Sequence, residues 1–500
     1  MTRSRESLSP RQAAAGQRIP TTATSDRPAH PARRWAALAA LALPTFLIGM
    51  DLTALHMATP SIVTDLRPTP TAQLWIVDAY GFAVAGLLLI MGNVGDRIGR
   101  RRLLLIGAAG FAVASILAAF APTSGMLIVS RALLGVAGAT LMPSTLSLIR
   151  DLFDDDGQRQ RAIAIWMASL LTGTALGPLI GAVTIAMFWW GAVFLLAVPI
   201  MVLLLIIGPM LLPAGTSKRP TRLDWGSVSL FALAIAGVVY AIKRAASHGV
   251  EVPAVAAVIV GTLAGVMFVR RQRRLDEPLL DVGLFHNARF ATATATHLGA
   301  LLALGGLQYL FALYLQLGLG LPPVHAGFWT LPGAALGLLG ALLAPILARR
   351  LGPRLVIGGM LAIGAAAAAV LTLTTLAGPQ TAAAGFALVS LAVGLVTTLT
   401  TDHVIAAAPP RRAGMASGIT ETAAELGIAL GVALLGSITT AVQANRTSRP
   451  LTADASPEAR QAFIEGFHAS ALVAALILTA LATVTLRHLR RPSDHNEEAL

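Results

Sequence analysis

Apolar runs separated by short polar segments follow one another along the chain from about residue 35 to residue 486. The runs have the length of about 20 residues that an α-helix needs to cross about 30 Å of hydrocarbon. Together with the turn residues between them, they predict an all-α integral membrane protein with fourteen transmembrane helices. The predicted helices cover residues 35–63, 73–91, 103–121, 126–148, 162–186, 190–212, 224–243, 253–269, 290–315, 323–348, 355–376, 381–404, 413–441 and 463–486.

Arg and Lys are unevenly distributed over the segments that connect these helices. Of the 37 residues, 30 lie in the two terminal segments and every second loop, 6 lie in the remaining loops, and Arg131 lies inside a predicted helix. Cytoplasmic loops of membrane proteins carry such an excess of positive charge. The pattern predicts a multi-pass protein of the cell membrane with cytoplasmic N- and C-termini, and it assigns Lys243 to an external loop.

Composition excludes several classes of protein. With 55% hydrophobic residues and a mean hydropathy of +0.73, the chain is too apolar for a soluble globular protein. Because its net charge of +13 is spread over these loops and tails, we expect no nucleic-acid partner. The chain has no cysteine and no GxxxxGKS or GxxxxGKT segment, which disfavours a thiolate metal site and an ATP-driven pump. No catalytic or metal-binding constellation stands out, so we predict neither an enzyme nor a cofactor.

The loop between the second and third predicted helices, GNVGDRIGRRRLLLIG, combines glycines, one acid and several arginines. Topology alone needs arginines there, but it needs neither glycines nor an acid. Glycines permit a tight turn and close helix approach, and an acid beside arginines forms a charge network. We therefore predict a conformational-switch loop. Its residues are Gly92, Gly95, Asp96, Arg97, Gly99, Arg100 and Arg101.

Three charged residues of the N-terminal half lie inside predicted helices, where charges are costly and normally face a cavity or a partner. We predict that Asp51, near the membrane midplane, takes part in proton coupling; the alternative is an acid held by hydrogen bonds to Thr53 or a neighbouring helix. Asp78 and Arg131 are further coupling candidates, each about five residues from an outer helix end. A hydrated interface role for Asp78 and a structural clamp role for Arg131 stay open as alternatives.

Glu421 and Glu425 are four residues apart in the thirteenth predicted helix and therefore share one of its faces. Two carboxylates on one face in a low dielectric do not easily stay ionised together. We predict that they bind a lipophilic cation or take a second proton. For Glu421, anchoring of helix packing through a hydrogen bond is the alternative.

Gly173, Gly177 and Gly181 recur every four residues in the fifth predicted helix and form a smooth face for close helix contact. Pro178 removes a backbone hydrogen bond and kinks the same helix. This pattern predicts a bent, tightly packed joint. Ordinary small-residue packing explains the glycines but not the Gly-Pro pair.

Six motifs carry a resemblance to a known family. They are MDLTALHMATPSI (50–62), WIVDAY (75–80), the GxxxDRxGRRxxL loop (92–104), RALLGVAGAT (131–140), GTALGPLIGA (173–182) and the segment from TDHV to LGSI (401–438). Together they resemble the major facilitator superfamily, and within it the fourteen-span drug:proton antiporters, the QacA-, SmvA- and LfrA-like multidrug exporters. In that superfamily GxxxGPxxGG marks antiporters. His56 stands where that branch usually has Asn.

The resemblance implies a major facilitator fold, with two six-helix bundles and two inserted helices. It also implies that the switch loop holds the two halves together on the cytoplasmic side in the outward-open state. The RRLGPR segment at 349–354 is then a degenerate copy of that loop without the acid. The implied divisions are a disordered cytoplasmic tail (1–34), an N-terminal bundle (35–212), a linker with the inserted helices (213–289), a C-terminal bundle (290–486) and a cytoplasmic C-tail (487–500).

The implied function is proton-coupled antiport that exports hydrophobic, often cationic drugs by alternating access. The proton gradient would supply the energy, and the partners of a monomer would be lipid, substrate and protons. A dedicated exporter of one endogenous metabolite or antibiotic is the alternative, whereas GxxxGP disfavours an uptake symporter. The tenth predicted helix lacks Asp and Glu, which favours monovalent cations or neutral amphiphiles over dications. The substrate pocket is predicted to include Trp75, Tyr80, Trp166, Phe311 and Tyr314.

Overall fold

A computed structural model describes most of the chain. The described residues are 31–153, 155–213, 224–249, 251–275, 278–375, 378–409, 412–446 and 456–488, without the side chains of 31, 89, 93, 96, 246–248, 413 and 488. Most of the predicted tails, 1–34 and 487–500, therefore lies outside the described residues.

The described residues form fifteen α-helices, and fourteen segments among them are long and apolar enough to cross a membrane, as predicted. The predicted helix over 190–212 corresponds to α6 and α7, which follow each other across Leu196, a residue with right-handed helical backbone angles, and together they form the sixth span. The helices are α1 (Pro31–Leu66), α2 (Pro70–Ile98), α3 (Arg100–Ala119), α4 (Ser124–Leu152), α5 (Asp156–Met187), α6 (Ala192–Leu195), α7 (Ala197–Leu211), α8 (Trp225–His248), α9 (Val252–Gln272), α10 (Ala288–Leu313), α11 (Pro323–Leu351), α12 (Pro353–Val370), α13 (Gln380–Ala407), α14 (Ala413–Arg446) and α15 (Pro457–His488).

The helices pack as two bundles with the same internal arrangement. In the N-terminal bundle, α1 packs along α5, α2 packs along α4, and α3 contacts α4 and α7. In the C-terminal bundle, α10 packs along α14, α11 packs along α13, and α12 contacts α13 and α15. The inserted helices α8 and α9 pack against each other, and α8 also contacts α2 and α14. This is the architecture that the sequence predicts.

Two single-residue turns repeat in the two bundles. Gly99 joins α2 to α3 with φ 94°, and Gly352 joins α11 to α12 with φ 82°. Each glycine donates its amide hydrogen to the carbonyl four residues earlier, at 3.0 Å in both turns. Because side chains rarely adopt this positive φ, both positions favour glycine. The match supports the interpretation of 349–354 as a copy of the switch loop.

The predicted glycine face of α5 lies against α1. A Cβ at Gly173 would overlap the carbonyl of Phe46, and one at Gly177 would meet Thr53 and the carbonyl of Met50. Gly181 has the same close relation to Ala54. We call this contact between α1 and α5 the N-seam; it brings two backbones together, as small residues do between membrane helices.

The C-terminal bundle has an equivalent contact between α10 and α14, which we call the C-seam. A Cβ at Gly427 would overlap the carbonyl of Leu298, and one at Gly431 would overlap the carbonyl of Leu302. The segment GIALG at 427–431 has the same four-residue spacing, but the sequence motifs did not predict this contact. The two seams differ in that only α5 has a proline beside its central glycine, Pro178.

The two bundles meet through α2 with α14 and through α5 with α11. Gln73 of α2 donates a hydrogen bond to the Tyr309 hydroxyl at 2.9 Å, and Gly327 of α11 packs closely on Ala182 of α5. These contacts lie at the end of the molecule opposite the turns at Gly99 and Gly352. We call the end with those arginine-rich turns the basic end, so the bundles are in close contact at the opposite end.

The assignment of Lys243 to an external loop is wrong. Helix α8 continues to His248, and the side chain of Lys243 is fully buried within the protein. The last two helices also extend beyond their predicted bounds at 441 and 463, since α14 reaches Arg446 and α15 begins at Pro457. Polar residues near the end of an apolar run ended the predicted helices too early.

Candidate functional site: a cavity and two buried ion pairs

A cavity of about 980 Å³ lies between the bundles, in the half of the molecule next to the basic end. Residues of α2, α4 and α5 line one side, and residues of α13 and α14 line the other. Apolar groups predominate, and charged side chains occur on both sides. The charged residues in the lining are Arg100, Arg150, Asp224, Asp281, Asp402, Arg412 and Glu421. A cavity of this size accommodates a drug-sized molecule.

Five of the predicted site residues belong to this lining, namely Gly92, Gly95, Arg100, Trp166 and Glu421. The Trp166 indole donates a hydrogen bond to the Thr145 hydroxyl at 3.1 Å, which fixes one aromatic wall of the cavity. Two parts of the predicted site, the switch loop and the Glu421 face of α14, therefore lie opposite each other across the cavity.

The switch loop is also attached to the sixth span. Arg101 donates hydrogen bonds to the carbonyl oxygens of Pro209 and Leu212 at 3.3 and 3.1 Å, at the end of α7. Arg97 lies in the last turn of α2. The side chain of Asp96 lies outside the described residues, so its part in a charge network stays a prediction.

Asp51 and Arg131 form a buried ion pair inside the N-terminal bundle. The Arg131 guanidinium donates to the Asp51 carboxylate at 2.6 Å and, through Nε, to the carbonyl of Ile76 at 3.2 Å. The cation also lies 4.8 Å from the centre of the Tyr80 ring. Thr53 does not hold Asp51, because its hydroxyl donates to the carbonyl of Thr174 on α5. Removing one partner of such a pair leaves an uncompensated buried charge.

Arg131 and Asp78 lie further from the starts of their helices than predicted. Arg131 is the eighth residue of α4 and Asp78 the ninth residue of α2, whereas about five residues were expected, because both helices begin earlier than predicted. Both side chains are almost completely buried. Asp78 is 2% exposed, so the described structure gives its carboxylate almost no contact with solvent.

A second buried ion pair joins α2 to the inserted helix α8. The Lys243 ammonium lies 2.9 Å from the Asp78 carboxylate and 4.0 Å from the centre of the Trp75 ring. The side chains of Lys243 and Asp78 are 0% and 1% exposed, so both charges are removed from solvent. Sequence reasoning missed this pair because hydropathy alone placed Lys243 outside the membrane. An intramembrane Asp78 without an assigned partner was the available signal.

The two glutamates of α14 differ in their surroundings. Glu421 is partly exposed and lines the cavity, whereas Glu425 is buried one turn further from the basic end. Among the described residues, Glu425 Oε2 has no hydrogen-bond partner. Helix α2 packs at this point, with Gly81 beside the Glu425 backbone and Ala429.

The remaining predicted pocket aromatics lie away from the cavity. Tyr80 packs under Arg131, and Trp75 packs on Lys243. Phe311 stacks on Phe386 within the C-terminal bundle, and the Tyr314 hydroxyl donates to the carbonyl of Thr375 at 2.6 Å. Their contact with substrate stays a prediction. Within the described ranges, no group of three or more His, Asp or Glu side chains is arranged to hold a metal ion.

Two helical bundles with a cavity between them, closed at one end of the molecule, define a membrane transporter rather than an enzyme. Residues 41–432 match the Major Facilitator Superfamily, and the chain belongs to that family. It is 43% identical over 465 residues to the multidrug efflux pump LfrA of Mycolicibacterium smegmatis, with 93% of this chain and 92% of the relative covered.

A further relative is the methyl viologen resistance protein SmvA of Salmonella typhimurium, with 34% identity over 81% of this chain and 82% of the relative. Among solved structures, the fold is similar to a bacterial homolog of the human lysosomal transporter Spinster in an inward-facing, unoccupied conformation. The TM-score is 0.68 at 16% identity, with 93% of this chain and 100% of the other covered. This likeness concerns the fold.

Proposed function

We propose that the protein is a proton-coupled antiporter that exports hydrophobic, often cationic compounds across the cell membrane by alternating access. The names of its relatives, a multidrug efflux pump and a resistance protein, support drug export. The observation that carries proton coupling is the buried Asp51–Arg131 pair beside the N-seam.

The distribution of Arg and Lys supports a cytoplasmic position of the basic end. The cavity then faces the cytoplasm, and the close contacts between the bundles lie on the outer side, which is the inward-facing arrangement. A hydrophobic compound enters from the cytoplasm and contacts the apolar lining and Trp166. Glu421, on the opposite wall, attracts the positive charge of a cationic compound.

Asp51 carries the coupled proton in this proposal. Protonation removes the negative charge that holds Arg131, so the guanidinium loses its partner and the contact between α1 and α4 weakens. Met50 and Thr53, on either side of Asp51, contact Gly177 in the N-seam. A movement of Asp51 therefore changes the packing of α1 on α5. Helix α5 in turn contacts α11 of the other bundle.

Everted membrane vesicles test this proposal. Respiration acidifies the vesicle interior, and addition of ethidium, a lipophilic monocation, then reveals exchange as partial collapse of the gradient. We expect collapse with the parent and none with Asp51→Asn. Asp65→Asn is the matched control, because Asp65 lies in the same helix and accepts a hydrogen bond from Trp190 at 2.7 Å, outside the cavity and the buried pairs.

Each outcome tests a different part of the proposal. Collapse by the parent and Asp65→Asn, but not by Asp51→Asn, supports cation–proton exchange through Asp51. Collapse by all three proteins would reject Asp51 as the proton carrier. If a folded parent causes no collapse of the gradient with dyes, quaternary ammonium compounds or neutral amphiphiles, broad drug antiport is rejected. An exporter of one metabolite is then favoured.

A further inference from the structure

The ion pair between Asp78 and Lys243 lies outside the cavity, in the half of the molecule opposite the basic end. Asp78 is the ninth residue from the start of α2, and Lys243 is near the end of α8, so both are close to the outer ends of their helices. None of the residues around this pair belongs to the cavity lining. The mechanism proposed above gives the pair no role.

The surroundings of the Lys243 ammonium have the chemistry of a cation site. A carboxylate lies at 2.9 Å, the Trp75 ring centre at 4.0 Å and the Phe82 ring centre at 5.7 Å. The two rings belong to one face of α2 and meet edge to face, with their centres 6.1 Å apart. A carboxylate combined with aromatic faces attracts organic cations as well as ammonium groups.

Stability does not explain the pair. Burying two charges costs desolvation energy that their attraction only partly repays, and well-packed apolar residues often serve a fold equally well. The lysine is also supplied by an inserted helix, not by either bundle. Both Trp75 and Phe82 are only partly buried, so one side of the aromatic face is accessible from the surface of α2.

The position of α8 links the pair to the transport cycle. Helix α8 contacts both α2 and α14, and these two helices form one of the main contacts between the bundles. Opening of the outer side separates α2 from α14, so α8 cannot keep all its contacts with both. The ammonium of Lys243 then changes its position relative to Asp78.

We propose that Asp78, Trp75 and Phe82 form a second binding site for an organic monocation, and that Lys243 is a tethered competitor that fills this site in the inward-facing structure. The site takes an exported cation when α8 withdraws, and the returning Lys243 displaces that cation to the outside. This inference rests on the proposed export of cations and adds a site on the exit side.

Equilibrium binding of ethidium to the purified protein in lipid nanodiscs tests the competition without a proton gradient. Lys243→Met removes the competing charge, and we expect ethidium to bind about tenfold more tightly than to the parent. The double variant Asp78→Asn/Lys243→Met lacks the carboxylate and loses that gain. Adding Trp75→Leu to Lys243→Met reduces the gain roughly fivefold, because one aromatic face is removed.

Two controls separate charge competition from a structural effect. The uncharged probe N-phenyl-1-naphthylamine should bind the parent and Lys243→Met equally, and Lys243→Arg should keep the parental affinity for ethidium. Thermal unfolding verifies that each variant is folded. If Lys243→Met fails to fold, Lys243→Gln also removes the charge but keeps a hydrogen-bond donor for Asp78, and the same tighter binding is expected.

Unchanged or weaker ethidium binding by a folded Lys243→Met or Lys243→Gln protein overturns the inference, as does a gain that persists without Asp78. Failure of the proposed function has a different signature, because the parent would then produce no ethidium-dependent proton movement in vesicles. A parent that exchanges ethidium for protons, together with an unchanged affinity in Lys243→Met, rejects only the second site.

Discussion

The two bundles have the same helix pairing but different interiors. Both contain a glycine seam, and both have a glycine with positive φ between their second and third helices. The N-terminal bundle holds Asp51–Arg131 in its interior and contributes Asp78 to a second buried pair. Among the described residues, the C-terminal bundle has an exposed ion pair, between Arg446 at the end of α14 and Glu465 of α15.

This difference separates what the fold needs from what function needs. The C-terminal bundle also buries polar groups, such as His297 with Thr400 at 3.0 Å and Thr296 with Thr485 at 3.2 Å, and it buries the acid Glu425, but its described interior contains no ion pair. The architecture therefore forms without a buried ion pair. Since buried pairs contribute little net stability, the charges of the N-terminal bundle point to coupling. Substitutions at the buried ion pair, at the seams and at the turns test this difference between the bundles.

The largest effect is expected from removing one member of the Asp51–Arg131 pair. Arg131→Met leaves the Asp51 carboxylate buried without a cation, and it should lower the free energy of unfolding by about 3–5 kcal/mol. The double variant Asp51→Asn/Arg131→Met should regain most of that stability but exchange no protons. Denaturation in mixed micelles measures stability, and vesicle assays measure exchange. Recovery of exchange by the double variant would show that the pair is structural only.

A smaller effect is expected at the two seams. Gly177→Val and Gly431→Val each force a side chain into a backbone contact, and each should lower the free energy of unfolding by about 1–3 kcal/mol. Gly86→Val is the control for the substitution itself, because a Cβ at Gly86 meets nothing within 4 Å. The proposal predicts that Gly177→Val impairs proton exchange more than Gly431→Val at equal stability. An equal loss in both would remove the special role of the N-seam.

The smallest effect is expected at the two turns. Gly99→Ala and Gly352→Ala place a side chain at positive φ, and each should cost about 1–2 kcal/mol of stability. The transport rate should fall more for Gly99→Ala, because only its loop combines arginines with an acid and lines the cavity. Thermal unfolding and ethidium efflux from cells give the two readouts. A larger transport loss for Gly352→Ala would reverse the assignment of the switch.

Much of this architecture follows from local patterns. The fourteen spans follow from apolar length, and the N-seam follows from the spacing of Gly173, Gly177 and Gly181. The motif between residues 92 and 104 marks the loop that lines the cavity, because topology explains its arginines but not its glycines or its acid. Features that depend on one helix and its own sequence were therefore predictable.

Features that depend on a partner in another helix were not. Lys243 follows an apolar run and precedes Arg244, so hydropathy ends the helix there, and its burial depends on groups of another helix, among them Asp78 on α2. The pairing of Asp51 with Arg131 joins residues 80 positions apart, and the sequence gives their charges but not their distance.

At the basic end of the inserted helices, a further ion pair is partly exposed and provides a contrast to the buried pairs. Arg271 of α9 binds Asp224, the N-cap of α8, with two bonds of 2.7 Å. The Arg271 guanidinium holds the pKa of the Asp224 carboxyl well below its usual range. The pair therefore contributes to stability above the unfolded pKa of Asp, near 4, and is lost only as the pH falls towards the folded value. Asp51–Arg131 differs in being buried in a bundle interior, next to a seam.

The proposal that Asp51 carries the coupled proton is tested by measuring proton release when substrate binds. Purified protein in detergent and weakly buffered solution is mixed with ethidium, and a pH indicator records the protons released per protein. The account predicts release by the parent and by Glu425→Gln, whose acid lies in the C-terminal bundle, and none by Asp51→Asn. Release that persists in Asp51→Asn and disappears in Glu425→Gln would place coupling in the other bundle and contradict the account.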